Sequence, residues 1–554
     1  MENPALMFKS GGSYRTMSYG EFGDICFRVA SGLMKRGIEP GERIAIFSQN
    51  RPEWAEADTG ALLAGAINSA IYASSLPEEA AFIIQNLEAT FLFVEDNFQL
   101  EKILAIREKI SSVKSVFVFT EPFSRSNPSW VFPFSELLQE EASPALVAKI
   151  HELAEHITGE DTMCIIYTSG TTGNPKGVVL THNNYIRTIE MLVQHVRDIS
   201  KLKRNISFLP LAHAFERFAG YYLVLSIGSC IAYAESLETL MQNFREVKPN
   251  LFVAVPRVFE KMHARITQGV RSASPVKKAI FYWALGIGKK AGRYKMLGQP
   301  LPWHLKISYR LADALLFKKV KGAFGGQLEF CCSGGAPLSK EVAEFFDAMD
   351  ILILEGWGAT EATTPSTFNS PYDYRFGTVG RPLPGVEVRV APDGELEVKG
   401  PNVFKEYWRN PEATKEKFIG DWSLTGDLAK KDEDGYLWFV GRKDDLITSS
   451  GYRIGPAEIE DCLIKHPAVA MAAVIGSPDE VRGEVVKAFI ILKEGTPATK
   501  ELAAEIQEFV KTRLAAHEYP REIEFVDQLP MTATGKIKRG DLRKLEIERK
   551  KGRR

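Results

Sequence analysis

The sequence predicts an α/β protein: a large N-terminal part built of two βα-layered subdomains with a small antiparallel β region, then a small C-terminal α/β domain. Three observations carry this. The chain has 554 residues, and a single core rarely grows past about 250 to 300, so at least two domains are required. Short Val/Ile/Phe-rich runs alternate with amphipathic helical stretches, which is the pattern of βα units around largely parallel sheets. The texture then changes twice, near Gly377 and after Trp438-Phe439-Val440-Gly441.

The strands are read from short apolar runs: Arg43 to Phe47, Thr90 to Val94, Ser115 to Phe119 and Leu251 to Val255. Two uncharged stretches, Thr59 to Pro77 and Phe218 to Ala234, are broken by Gly, Ser or Asn. Neither supplies the roughly 20 apolar residues of a membrane span, so both read as buried helix-to-strand segments. From Gly377 to Gly400, prolines and glycines separate the alternating runs Val386 to Val390 and Glu395 to Val398, which favours antiparallel pairing. The final 110 or so residues hold helices over Glu458 to Lys465 and Lys500 to Leu514, and strands over Val469 to Ile475 and Val485 to Leu492. The polar boundary Gly441-Arg442-Lys443-Asp444-Asp445 reads as a hinge or as a surface loop within one domain. The basic end, Lys536 to Arg554, has ten Lys/Arg against three acids and reads as a tail.

Composition narrows the function classes. With 69 Lys+Arg against 70 Asp+Glu and a net charge of −1, nucleic acid is not expected as the main partner. The 45% hydrophobic and 25% charged residues are ordinary for a soluble globular protein. Met-Glu-Asn-Pro opens no secretory signal. The six cysteines (Cys26, Cys164, Cys230, Cys331, Cys332, Cys462) lack C-x-x-C spacing, so reduced, mostly buried thiols of a cytoplasmic protein are expected. Monomer and homodimer both stay open.

The most informative segment runs from Tyr167 to Val178, after the apolar strand Met163 to Ile166. Gly170, Gly173 and Gly177 permit close backbone approach, Thr168, Ser169, Thr171 and Thr172 offer hydroxyl donors, and Lys176 adds one charge. That is a polyphosphate cradle, although alone it could be a turn with no ligand. It is not a Walker loop, because Pro175 precedes the lysine and Gly177 follows it.

Tyr-Thr-Ser-Gly-Thr-Thr-Gly-Asn-Pro-Lys-Gly resembles the signature of the adenylate-forming superfamily, which holds acyl-CoA synthetases, luciferases and peptide-synthetase adenylation domains. Six further elements follow in that family's order: Leu209-Pro-Leu-Ala-His213, Ser333-Gly-Gly-Ala-Pro337, Gly356-Trp-Gly-Ala-Thr-Glu361, Thr425-Gly-Asp427, Gly441-Arg442 with Ser450-Gly-Tyr-Arg453, and Thr534-Gly-Lys536. The resemblance spans nearly the whole chain. It implies an N-terminal AMP- and acyl-binding domain over 1–441, including a small β-barrel, and a mobile C-terminal domain over 442–554 with its hinge near Asp444.

The resemblance also implies roles. The loop Thr168, Ser169, Gly170, Thr171, Thr172, Gly173 and Lys176 would hold the ATP phosphates, with Mg2+ near Thr171 and Glu361, a hard cation on oxygen ligands. His213 would orient the reacting carboxylate without adding negative charge. Gly334, Gly335 and Ala336, with Glu355, Gly356, Trp357, Gly358, Ala359 and Thr360, would bind adenine, Trp357 serving as a pocket wall, as core packing, or as both. Asp427 would accept the ribose hydroxyls with Arg442 as partner, unless the two form a surface ion pair. Lys536 would bridge substrate carboxylate and α-phosphate as a compact cation, with Lys538 and Arg539 beside it solvated. Arg453 matches a nucleotide or coenzyme A phosphate contact, and Ser450, Gly451, Tyr452, Arg482, Tyr519 and Arg521 match coenzyme A positions.

The two halves resemble different relatives. Phe208 to Phe218, Cys332 to Ser339 and Leu354 to Glu361 are similar to long-chain fatty acyl-CoA synthetases, whereas Gly441 to Pro456 and Ser477 to Lys487 are similar to medium-chain and acetyl-type enzymes. Because the acyl pocket of the family lies in the large domain, the resemblance implies a medium- to long-chain fatty acid as substrate, with ATP and coenzyme A. Delivery to a carrier protein, luciferase-type oxidation, a shorter or aromatic acid, and a binding protein that has lost its chemistry are the alternatives. Finally, residues 271–321 hold 12 Lys/Arg against one acid, Asp313, interleaved with Phe281, Tyr282, Trp283, Tyr294, Trp303, Tyr309 and Phe317. Such a segment is either a helix lying peripherally in a lipid interface or a solvated basic face with its aromatics in the core.

Overall fold

In the computed structural model, residues 2–120, 127–139, 143–168, 174–450, 452–532 and 536–552 are described. Two large sheets organise the N-terminal part. One has nine strands, with Phe330–Ser333, Leu251–Ala254, Arg204–Ser207 and Cys230–Tyr233 adjacent at its parallel centre and Ile353–Trp357 beside Phe330–Ser333. The other has eight, with Ile67–Ile71, Arg43–Phe47, Phe91–Val94 and Ser115–Val118 parallel at the centre and the antiparallel pair Thr162–Thr168 and Lys176–Thr181 toward one edge. Central strands such as Phe91–Val94 and Leu251–Ala254 are short, apolar and fully buried because both faces are covered. In the nine-stranded sheet, Leu251 and Val253 point into one core while Phe252 and Ala254 point into another, the period of two that a two-sided strand imposes.

The uncharged stretches resolve as expected into helix followed by strand: Pro52–Leu63 then Ile67–Ile71, and a π-helical turn Glu216–Tyr222 leading through Leu223–Ser226 to Cys230–Tyr233. No helix among the described residues is long and apolar enough to cross a membrane. All six cysteines are free thiols, and only Cys332 is not fully buried. The small β region is a five-stranded antiparallel sheet that includes Glu387–Val390, Glu395–Lys399, Trp422–Lys431 and Leu437–Arg442.

A separate five-stranded sheet forms the C-terminal part, in which Val469–Asp479 and Gly483–Leu492 pair along their length and helices Pro456–Ile464 and Lys500–Lys511 pack on one face. The basic end corrects the expectation of a tail. Arg539–Gly552 is a helix docked on this sheet. Its Leu542 and Glu546 are buried, and the Glu546 carboxylate meets Lys487 Nζ at 2.6 Å. Nor is Arg539 solvated: it pairs with Glu460 at 2.5 Å and with Asp445 at 3.2 Å. Net basicity concealed a helix whose charges are met by acids from distant segments.

Candidate active site

The segments flanking the Gly/Thr loop, Thr162–Thr168 and Lys176–Thr181, pair as antiparallel strands. Tyr167 faces Gly177 and Thr168 faces Lys176 across the stem, while Ser169, Gly170, Thr171, Thr172 and Gly173 lie outside the described residues. Gly177 is required by packing, since a Cβ there would sit 2.8 Å from Ile165 Cγ2 and 3.2 Å from Trp408 Cβ. The Lys176 ammonium lies 5.3 Å over the Tyr407 ring, a cation–π contact. Tyr407, on a short strand paired to the stem, donates its hydroxyl to Glu361 Oε1 at 2.7 Å. The strand pair and the turn Thr360–Ala362 are thus tied together through one tyrosine.

The segments expected to bind nucleotide leave the carboxyl ends of the parallel strands Phe330–Ser333 and Ile353–Trp357, where open α/β sheets place ligands. Gly335 has φ +84°, and a Cβ there would come 3.3 Å from Lys536 Cε, so only glycine admits both the turn and the lysine. Ala336 is exposed on the same loop. Glu355 turns inward and its Oε2 accepts the Leu338 N–H at 2.9 Å. Burial pushes its carboxyl up to about 8. It therefore holds the loop Ser333 to Leu338 from behind, while Gly356, Trp357, Gly358, Ala359 and Thr360 line a cavity.

Trp357 does two things at once: it lines this cavity, and its indole Nε1 donates to Asp427 Oδ2 at 2.8 Å. The other oxygen, Oδ1, faces Arg442 Nε at 3.4 Å, and the two residues are opposite each other on adjacent strands. Burial raises the Asp427 carboxyl and the Arg442 guanidinium opposes that rise. Asp427 is consequently an oriented, largely buried acceptor, not half of an exposed pair.

Lys536 and His213 both line this cavity, close enough for the lysine charge to act on the imidazole. Burial lowers the lysine's pKa, and the Asp427 carboxylate partly restores it. The His213 imidazole is held down to about 3, first by burial and then by the Lys536 charge. Its Nδ1 accepts the Phe215 N–H at 3.2 Å, so the neutral ring carries its proton on Nε2. The cavity as a whole spans about 960 Å³ of space, part of it open to solvent. Phe330, Cys332, Val193, Val196, Ala219 and Leu223 are among the residues that line it. Among the described residues, its only ionisable groups besides a thiol are Lys536 and His213.

The remaining residues lie elsewhere. Ser450 Oγ accepts from Arg482 Nη1 at 3.3 Å, the Tyr452 ring stacks on His517 with centroids 4.3 Å apart, and Arg521 lies 5.0 Å from the Tyr519 ring. None of them lines the cavity. Arg453 lies on the strand Tyr452–Ile454 opposite Thr448, and Gly451 is outside the described residues. Asp444 is exposed between two anchors. Lys443 binds Asp393 at 2.7 Å and Glu395 at 2.8 Å on the antiparallel sheet, while Asp445 binds Arg539 at 3.2 Å and Arg543 at 3.0 Å in the C-terminal part.

The profile of the AMP-binding enzyme family matches residues 1–408, and that of the AMP-binding enzyme C-terminal domain matches residues 458–536. The chain belongs to the AMP-binding enzyme family. Over 463 residues this AMP-binding enzyme is 33% identical to the long-chain-fatty-acid--CoA ligase FadD15 of Mycobacterium bovis, covering 83% of this chain and 75% of that one. Human ACSBG2, also named a long-chain-fatty-acid--CoA ligase, is 31% identical over 489 residues, 85% of this chain and 72% of its own. The anthranilate CoA ligase AuaEII in complex with anthranoyl-AMP superposes with a TM-score of 0.78 at 25% identity, covering 99% of this chain and 94% of that one. ATP-bound MatB from Rhodopseudomonas palustris superposes at 0.77 and 26% identity, covering 98% and 96%, whereas the apo structure of the same protein reaches 0.67 with the same coverage.

Sequence reasoning missed three features of the site. Tyr407 behind Glu361 and the Trp357–Asp427 hydrogen bond have no local signature, since each joins segments 46 and 70 residues apart. The cavity wall had a weaker signal: Ala219, Leu223 and Ile227 are spaced along one helical face, but a stripe of that kind reads as core as readily as it reads as a wall.

Proposed function

We propose that this enzyme activates a medium- to long-chain fatty acid with ATP to an acyl-adenylate, releasing pyrophosphate, and then transfers the acyl group to coenzyme A with release of AMP. The observation that carries the reading is the convergence of Lys536, His213 and the Gly334–Gly335 turn in the lining of one apolar cavity. Two anions must approach in the first step, so charge neutralisation and alignment dominate the barrier. The Lys536 ammonium bridges the acid's carboxylate and the α-phosphate. His213 donates from Nε2 to a carboxylate oxygen, and Asp427, oriented by Trp357 and Arg442, accepts the ribose hydroxyls.

The rest of that cavity favours a monocarboxylic, apolar acid. A second carboxylate carried into it would find no cation and would have to shed its hydration uncompensated. Magnesium fits the remaining donors. Tyr407 engages one Glu361 oxygen and leaves the other without a partner among the described residues, and no cluster of three metal-ligating side chains occurs there. Such a site suits a cation that keeps waters and takes phosphate oxygens, with Thr171 as the second protein ligand. When bound, the ion would neutralise charge on the β- and γ-phosphates.

For thioester formation the domain 442–554 turns about Asp444 and presents Ser450, Gly451 and Tyr452 to the site, with Arg453, Arg482, Tyr519 and Arg521 meeting coenzyme A. Association of residues 271–321 with a membrane surface belongs to the same reading. A panel of C2 to C18 and aromatic acids, scored by AMP release with coenzyme A present, tests the substrate. Greatest kcat/KM is expected between medium and long chains; a preference for acetate, a dicarboxylate or an aromatic acid would overturn it.

A further inference from the structure

The helices Pro275–Met296 and Trp303–Ala312 pack as a pair, and the first lies against helix Lys340–Asp347, in the layer on the face opposite the apolar cavity. Phe281, Ala284, Ala312 and Phe317 belong to the core of that face, whereas Leu251 and Phe330 beside the cavity belong to the other. Part of the aromatic content of 271–321 is therefore ordinary packing. The rest is not. Trp303, Ile307 and Leu311 recur every four residues along one face of the second helix, and they are 76%, 60% and 53% exposed. Val276 and Leu297 add 69% and 64% exposure on the first helix. An apolar stripe at helical spacing normally faces the core, and this one faces outward.

Charge accompanies it. Lys295 and Lys321 are paired with Asp350, and Lys321 also with Asp313. The other Lys and Arg residues of 271–321 make no ion pair among the described residues. Lys306 and Arg310 alternate with the exposed stripe on the same helix. Between the two helices lies an open groove in which Lys290, Arg293 and His304 stand beside Ile287, Leu297 and Leu305. Cations over an apolar floor match an amphiphile with an anionic head.

We propose that this surface docks on an anionic phospholipid bilayer, with the Trp303–Ile307–Leu311 stripe entering the headgroup boundary and the groove receiving a lipid phosphate. An outward helix face combining tryptophan, aliphatics and lysines has the character of an interfacial helix, and a surface of unpaired cations is drawn to anionic leaflets. A second copy of the chain is the poorer occupant, because a two-fold contact would set this basic surface against itself. The apolar cavity, lined by Leu251 and Phe330, belongs to the opposite face of the sheet. The inference rests on the membrane clause of the proposed function and is independent of its chemistry.

The full chain would be sedimented with vesicles of phosphatidylglycerol and phosphatidylcholine, and with vesicles of phosphatidylcholine alone, at low and high salt. Binding is expected to the anionic vesicles only and to be released by salt. It should weaken about tenfold or more in Lys290→Glu/Arg293→Glu and in Trp303→Ser/Ile307→Ser/Leu311→Ser. Unchanged acid-dependent pyrophosphate–ATP exchange in these variants, none of which touches the active site, would show that they fold. Full retention in the supernatant at low salt, equal binding to both vesicle types, or binding untouched by the substitutions would each overturn the proposal. Dimerisation lost in the stripe variant, without vesicle binding, would reassign the surface to a second copy. If no acid released AMP, the enzymatic reading would fail while a positive vesicle result stood.

Discussion

Two ends of the C-terminal domain stand in opposite relations to the rest of the molecule. Lys536 is half-buried, lines the cavity against the Gly335 turn, and lies within the field of His213 and Asp427. Ser450 and Tyr452, also in the C-terminal part, contact Arg482 and His517 and do not line the cavity. The C-terminal part thus offers two chemically different surfaces, the Lys536 cation and a cluster of arginine, tyrosine and histidine.

The sharpest way to break this contrast is to remove the lysine. Lys536→Ala should reduce acid-dependent pyrophosphate–ATP exchange by about 10²–10³-fold or more, as for loss of a transition-state charge partner, while thioester formation from supplied acyl-adenylate stays near wild type. Equal loss of both would abolish the assigned division of labour. Titration gives the next effect. Burial lowers the Lys536 pKa, and the charged form is the one needed, so exchange should fall as pH rises through a value below 10.5, and thioester formation should not follow it. With His213 neutral above about 3, the profile of exchange should show no limb near 6.5 from that ring.

Arg482→Ala should invert the lysine result, leaving exchange intact and raising the KM for coenzyme A about tenfold, the cost of one charge-assisted contact. The smallest effect is expected from Trp357→Phe, which keeps the wall and deletes the hydrogen bond to Asp427. About 1 kcal/mol, or roughly a fivefold rise in the KM for ATP with kcat nearly unchanged, is the expected size. A large fall in kcat instead would mean that the indole touches the reacting atoms.

Much of the fold was legible because its signals are local. The run Arg43 to Phe47 forms a strand of the same bounds, and the alternation from Gly377 to Gly400 gives the antiparallel pair Glu387–Val390 and Glu395–Lys399. The site was legible only as an ordered set of motifs, and what joins the motifs was not. Trp357 to Asp427, Tyr407 to Glu361 and Arg539 to Glu460 each link segments that fold brings together, and no periodicity records such a link. The misreading of Lys536 to Arg554 as a tail has the same origin: its basicity was counted without the acids on Glu460, Asp445 and the strand Glu522–Phe525 that answer it.

The pair of clamps flanking Asp444 has a mechanical corollary. Lys443 is fastened to one body and Asp445 to the other, so the joint between them is a single residue long and contains no slack. In the proposed rotation, a joint of that kind would transmit rotation but not translation, and two backbone torsions would fix the arc swept by the distant lysine. Adding one residue beside Asp444 would leave every binding group intact and yet let the arm wander off its arc, uncoupling two half-reactions that each remain chemically competent.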